Sequence, residues 1–390
     1  MGVLRGTFFI VGTTIGAGFL TGAELVRFFR AENFLFPVLF SSALYFGMCL
    51  LFLSEGRKHG GYCGALFALF GKREGIAETV AALFSFIPCA GMLAGLDAIL
   101  PAFSPLLSLI GLAVGVTVLG KGTKGISLFN LILVPLLLLF IFVFGRGNKS
   151  FFYPSVGNSG FAGGAVYAGM NAFLAAPVLM DAGKDMKKIL PPAILSALFV
   201  AVSALWILGA IYREGAGASN AEMPYLYVRR GKKICFVAVA FAILTSFVSA
   251  LYPPYRLCDR AKGHKKTAAK GFVLLAAFSL SRFGLTGIVN YFYPALGVAG
   301  LCLSAFCIFH DYLFEKYHEK IHSRRQHAQD RRRAHDEIEL EDLPAVHDKV
   351  AESRFGDDVL SHNGTDPRHS HVDFQHGNKG RKRRRNHELS

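Results

Sequence analysis

The sequence predicts an all-α membrane protein of ten transmembrane helices, arranged as two inverted halves of five with broken first and sixth helices. Three observations predict it. The 390 residues are 52% hydrophobic and only 18% charged, with 36 phenylalanines, which is the composition of a polytopic membrane protein. Ten apolar stretches have roughly the 17–25 residues that cross a hydrocarbon core of about 30 Å. The first and sixth of these carry soft or polar residues at matching depth.

The stretches run over residues 5–29, 34–54, 77–102, 105–120, 125–145, 160–182, 189–212, 233–252, 268–288 and 289–312. The first contains Gly12-Thr-Thr-Ile-Gly16-Ala17-Gly18-Phe19 at its centre. Each glycine there costs a helix roughly 1 kcal/mol relative to alanine. A broken helix at membrane depth is tolerated where its freed backbone groups face protein or a watery cavity. It therefore points to a binding site. Close packing is the competing reading, since Gly12-x3-Gly16 and Gly18-x3-Gly22 are small-residue pairs that let helices approach. A signal peptide is not expected: the stretch is too long, and its centre lacks an unbroken apolar run.

Arg57 and Lys58 follow the second stretch, and Asp97 sits in the outer third of the third. Pro101 to Pro105 must hold a tight hairpin into the fourth. The fifth carries Asn130. The sixth holds Tyr167-x3-Asn171. At 1.5 Å per residue, Gly16 counted from Arg5 and Asn171 counted from Gly160 both lie about 16 Å deep. Two such points, five helices apart on oppositely directed segments, are what an inverted five-plus-five repeat gives. Asn171 alone could equally be glue between helices. The eighth stretch carries Thr245 and Ser246, and the ninth and tenth part at a weak break near Gly287–Asn290.

With the N-terminus inside, the inner loops and Arg5 carry sixteen Lys or Arg and the outer loops ten, five of these in the 213–233 loop. That asymmetry places both termini in the cytoplasm of a multi-pass cell-membrane protein. Residues 1–310 hold 26 basic and 11 acidic residues, whereas 311–390 hold 16 of each and ten of the 13 histidines. The basic excess thus lies in short loops, a topology signal that gives no reason to expect nucleic acid as a partner. The organisation expected is a transporter domain over 1–312, a cytoplasmic helical extension over 313–343 and a disordered His-rich tail over 344–390. Arg381–Arg385 could touch anionic lipid or form a solvated basic end.

The seven cysteines are scattered, mostly within apolar runs, without a C-x2-C pair. They read as free thiols, and neither a metal site nor a cofactor is expected. No membrane-face cluster of His, Cys or carboxylate offers enzyme chemistry.

Gly12 to Glu24 followed by Phe28-Phe29, Gly120-Lys-Gly with Asn130 and Val134-Pro135, and Tyr167-x3-Asn171 with Pro177-Val-Leu179 resemble the YkvI-like family of bacterial membrane proteins. That family belongs to the amino acid–polyamine–organocation superfamily with the LeuT-type fold. The resemblance spans about residues 5–310. It implies a cation site built from the carbonyls of Gly12 and Ile15, the carbonyl of Ala242 and the hydroxyls of Thr245 and Ser246. Five or six neutral oxygens suit a small monovalent ion. The resemblance also implies that the amides of Ala17 and Gly18 suit a substrate carboxylate, with Tyr167 and Asn171 opposite. Proton-coupled relatives often carry a lysine on the fifth helix. Here that helix offers Asn130, which leans toward sodium as the coupling ion. Glu24, which matches the family pattern, and Asp97 are candidate coupling carboxylates. Both could instead snorkel to the interface, and Arg282 is a candidate partner for either. The function expected is secondary transport of a small, amino-acid-like solute by a sodium symporter. The alternative is a ligand sensor signalling through the tail.

Overall fold

In the computed structural model the first apolar stretch forms three helices: α1 (Val3–Thr14), α2 (Ala17–Thr21) and α3 (Ala23–Phe28). Regular bonding ends where the Ile15 amide donates to the Val11 carbonyl at 2.8 Å. The Gly16 amide then turns back to the Thr14 carbonyl at 3.0 Å, and Gly16 itself is extended. A second irregularity follows at Gly22, whose φ of 79° is the left-handed conformation that glycine adopts without a Cβ penalty.

The structure describes residues 1–29, 34–99, 104–144, 160–221, 223–228, 233–282, 292–313 and 316. The contacts below fall within the unit Met1–Glu319. The chain continues as α4 (Leu35–Lys58), α5 (Tyr62–Phe70), α6 (Glu74–Ile99), α7 (Leu106–Leu119), α8 (Gly122–Phe144), α9 (Phe161–Gly183) and α10 (Leu190–Glu214). Two short helices, α11 (Ala216–Ser219) and α12 (Pro224–Val228), lead to α13 (Lys233–Leu257) and α14 (His264–Ser281). The last described helix is α15 (Tyr293–Leu313). Among the described residues, seven helical spans are long and apolar enough to cross a membrane, and α1 and α7 are shorter apolar helices. The protein is a multi-pass membrane protein. The expected tail extension, the His-rich tail with its basic run and the break near Gly287–Asn290 lie outside the described residues.

Two differences from the sequence reading stand out. The sixth span is not broken: α9 runs without interruption from Phe161 to Gly183. Its mid-helix polar residue needs no freed backbone, because Asn171 Nδ2 donates to the Tyr167 carbonyl of its own helix at 3.0 Å. Pro177 is carried inside the helix, as packed membrane helices allow. The second difference is α5, in what read as a plain loop. Tyr62, Ala65, Leu66 and Leu69 are its buried residues, a stripe at helical spacing. Gly61 (φ 116°) and Gly71 (φ 56°) bound it with left-handed backbone. Nine residues are too few to register as a span.

The helices pack around α1 and α9. α4 lies along α9, α1 lies between α8 and α10, and α6 lies along α13. Glycines permit the closest crossings. A Cβ on Gly56 would overlap the Met180 backbone, and one on Gly183 would overlap the Leu53 carbonyl, so α4 and α9 touch main chain to main chain. Gly169 meets Gly297 and Gly300 in the same way, seating α9 on α15. Outward faces are apolar: Leu83 is 63% exposed and Phe272 71%. Such a surface belongs against lipid.

Candidate functional site

Side-chain hydroxyls hold the broken span in place. Thr14 Oγ1 and the Tyr45 hydroxyl are 2.5 Å apart, tying the end of α1 to α4. The Tyr212 hydroxyl donates to the Phe29 carbonyl at 2.6 Å, tying the end of α3 to α10. The interruption is thus buttressed on both sides, and a cavity of about 90 Å³ opens beside it. One water needs roughly 10–15 Å³ of such space, so the cavity has room for a small solute.

Gly16, Ala17, Gly18, Asn171 and Ser246 all line this cavity, so α2, α9 and α13 meet there. Sequence reasoning missed other parts of the wall. Gly91, Met92 and Gly95 face it from α6, Ser249 from α13, and Met223 and Tyr293 close it. Gly91-x3-Gly95 and Ser246-x2-Ser249 are spaced to share a helix face, and that spacing was the available signal. Tyr167 lies one layer behind. It lines a smaller pocket with Thr14, Tyr45 and Asn171, and its ring sits 5.4 Å from those of Phe28 and Phe29.

The residues of the implied cation site divide. Thr245 Oγ1 lies 3.5 Å from the Ile15 carbonyl and donates to the Ala242 carbonyl at 2.9 Å. Ser246 Oγ sits against Gly16, where a Cβ would overlap it. Gly12 instead faces Asn130, whose side chain occupies the space a Cβ would need. Asn130 Nδ2 donates to the Phe9 carbonyl at 3.3 Å, while its buried Oδ1 has no hydrogen-bond partner. A buried oxygen left unpaired is costly, and this one lies on the side chain packed against Gly12, one turn before the interruption. Among the described residues no group of three His, Cys, Asp or Glu could hold a metal ion.

The two carboxylates have different surroundings. Asp97 is ion-paired with Arg282 and accepts the Ser108 amide at 3.0 Å, away from the cavity. Glu24 is 8% exposed and lines the cavity. A Cβ on Gly18 would overlap its carboxyl group.

A second polar cluster gathers at Asp181, at the end of α9. Its carboxylate accepts from the Tyr62 amide at 3.1 Å, from Lys184 at 2.9 Å and from the Tyr252 hydroxyl, and pairs with Arg256 at 2.6 Å. Ser108, at the start of α7, touches Asp97. Leu119 and Lys121, at its far end, share a cavity with Asp181. The two networks are therefore about 20 Å apart along α7.

The fold is LeuT-like. The chain superposes on a nucleobase-cation-symport-1 family transporter, Mhp1, in a closed conformation with bromovinylhydantoin bound, at TM-score 0.53 and 17% identity over 75% of this chain and 74% of that one. It also superposes on MhsT in complex with L-phenylalanine, at 0.54 and 16% over 80% and 87%. A third match is a Na⁺-coupled sialic acid symporter in a substrate-bound outward-open state, at 0.52 and 14% over 80% and 78%. In sequence, the chain is 25% identical over 324 residues to the uncharacterized membrane protein YkvI of Bacillus subtilis (strain 168), covering 75% of this chain and 92% of that protein. No protein-family model matches the chain.

Proposed function

We propose that this chain is a secondary transporter of a small, amino-acid-like solute, working by alternating access in the cell membrane with both termini in the cytoplasm. The observation that carries the reading is the cavity beside the α1–α2 interruption, with a polar network toward each end of the bundle. The Asp97–Arg282 network and the Asp181–Arg256–Lys184 network are the natural points to part in turn as the site opens to one side and then the other. Two of the superposed proteins are described as a transporter and a symporter, which supports the reading.

An inverted repeat of five spans in each half fits the packing. Exchanging each span with the one five places on turns the α1–α10 contact into α9–α4, and both are present. It turns α1–α8 into α9–α15, and α13–α7 into α6–α14, and these too are present. α13–α8 becomes α6–α15, and Phe84 of α6 stacks on Phe292, the residue just before α15, with centroids 5.8 Å apart.

The coupling ion in this reading is sodium. The carbonyls of Ile15 and Ala242 and the hydroxyl of Thr245 already lie together, the Ser246 hydroxyl lies against Gly16, and Gly12, which faces Asn130, would have to turn its carbonyl toward them to complete a set of neutral oxygens. Such a set suits a monovalent ion better than a divalent one, which wants carboxylates. Uptake of radiolabelled amino acids into proteoliposomes under an imposed sodium gradient tests the reading. Accumulation that collapses with the gradient is the expected result. Accumulation that follows a proton gradient and ignores sodium would transfer the coupling role to Glu24.

A further inference from the structure

Glu24 is the one charged side chain among the described residues that line the central cavity. Among those residues no lysine, arginine or histidine faces it across the space, and no ion pair is formed by it. Its carboxylate is more than nine-tenths buried. A carboxylate removed from water is costly unless it meets a cation or takes up a proton. Asp97 and Asp181, the other carboxylates placed in this account, each have an arginine. Glu24 has been left facing a space.

Its position is set by two glycines. Gly22 turns the backbone between α2 and α3, which brings Glu24 back toward the break. Gly18 then leaves room for the carboxyl group, which lies where a Cβ would be. A solute carboxylate bound at Gly18 would meet like charge there. The remaining wall is uncharged: it mixes neutral polar groups such as Asn171, Ser246 and Ser249 with Met92, Met170 and Met223, thioethers that adapt to varied aliphatic shapes.

We propose that Glu24 selects for an ammonium group, so the solute is a small aliphatic amine or an amino acid read through its amine. This rests on the transporter reading and specifies its substrate class. The sodium oxygens meet the interruption before it, at Ile15. Glu24 meets it after, at Gly18, so the two cations need not compete.

The test uses the purified full-length chain and three probes sharing one side chain: L-leucine, isoamylamine, which lacks the carboxylate, and isocaproate, which lacks the amine. Thermal unfolding is followed at saturating sodium. Leucine and isoamylamine should stabilise the protein, and isocaproate should not. Glu24→Gln should weaken both active probes at least tenfold, and Glu24→Asp should restore part of the loss. The restoration separates a charge effect from misfolding. Stabilisation by isocaproate equal to that by isoamylamine would overturn the inference, as would unchanged amine affinity in Glu24→Gln or no response to either amine. Loss of sodium dependence in Glu24→Gln with amine affinity intact would also overturn it. Proteoliposome uptake separates the two readings. Uptake of amine-free solutes would sink the ammonium inference alone, whereas amine binding without any uptake would sink the transporter reading alone.

Discussion

Thr245 and Ser246 carry the sharpest claim at the scale of single residues. Replacing both by alanine removes two oxygens and little volume, so the fold should survive. Sodium affinity should fall at least tenfold, about 1.4 kcal/mol, and solute affinity should fall with it because linked binding is reciprocal. Isothermal titration of the double variant checks this, and unchanged sodium affinity would remove the site. Asp181 makes a different prediction. It is fully buried under Lys184, Arg256, Tyr252 and the Tyr62 amide. Asp181→Asn leaves two cations without their counter-charge and should cost roughly 3 kcal/mol of stability, read as a lowered unfolding temperature. A variant that unfolds like the parent would mean the cluster is solvated. Much of this was legible beforehand only where a residue type was out of place for a membrane helix. Gly16, Gly18 and Asn171 announced themselves by being poor or polar helix residues at mid-depth. The Asp181 cluster did not, because its members come from three separate segments and its charges, Asp181, Lys184 and Arg256, each look like ordinary helix-end residues. Asp97 with Arg282 was visible as a candidate pair because both were charges inside apolar stretches.

Helices were legible wherever apolar length decided them. The second, third and fifth to eighth spans follow their apolar stretches closely, since burial in lipid rewards an unbroken run of such residues. The interruption of the first span was legible because glycine acts locally. The expected break in the sixth was misleading, since Asn171 is satisfied by the carbonyl one turn back, and a polar side chain so placed leaves the helix intact. The helix α5 was hidden by its length and by the glycines at either end. The α4–α9 crossing gives a prediction at this scale. Gly183 abuts the Leu53 carbonyl and the Arg57 amide. Gly183→Val must push the two helices apart, at a cost of about 1–3 kcal/mol typical of overpacking. Valine at Gly47, which meets nothing nearby, should be nearly silent by comparison. Equal unfolding temperatures for the two variants would contradict the close crossing.

For the whole molecule, the loop charges make the orientation testable. A reporter fused after Lys188 should lie in the cytoplasm and one fused after Glu214 outside, and the reverse pattern would invert the assignment of the two polar networks. Truncation of residues 345–390 should leave folding and uptake unchanged, as expected of a segment with few large apolar residues. Loss of uptake at normal membrane levels would favour a sensor or a regulated transporter. The central claim is that the cavity beside the interrupted first span is the solute site of an ion-driven transporter. The most direct measurement compares wild type and Gly18→Leu, reconstituted at equal amounts, for uptake of radiolabelled amino acids under a sodium gradient. Leucine at Gly18 fills the space now held by the Glu24 carboxyl group and the adjoining cavity. Wild type should concentrate solute above equilibrium and lose that capacity when the gradient is dissipated, while the variant, folded by its unfolding profile, should not concentrate solute at all. Equal, gradient-driven uptake by the two proteins would contradict the account.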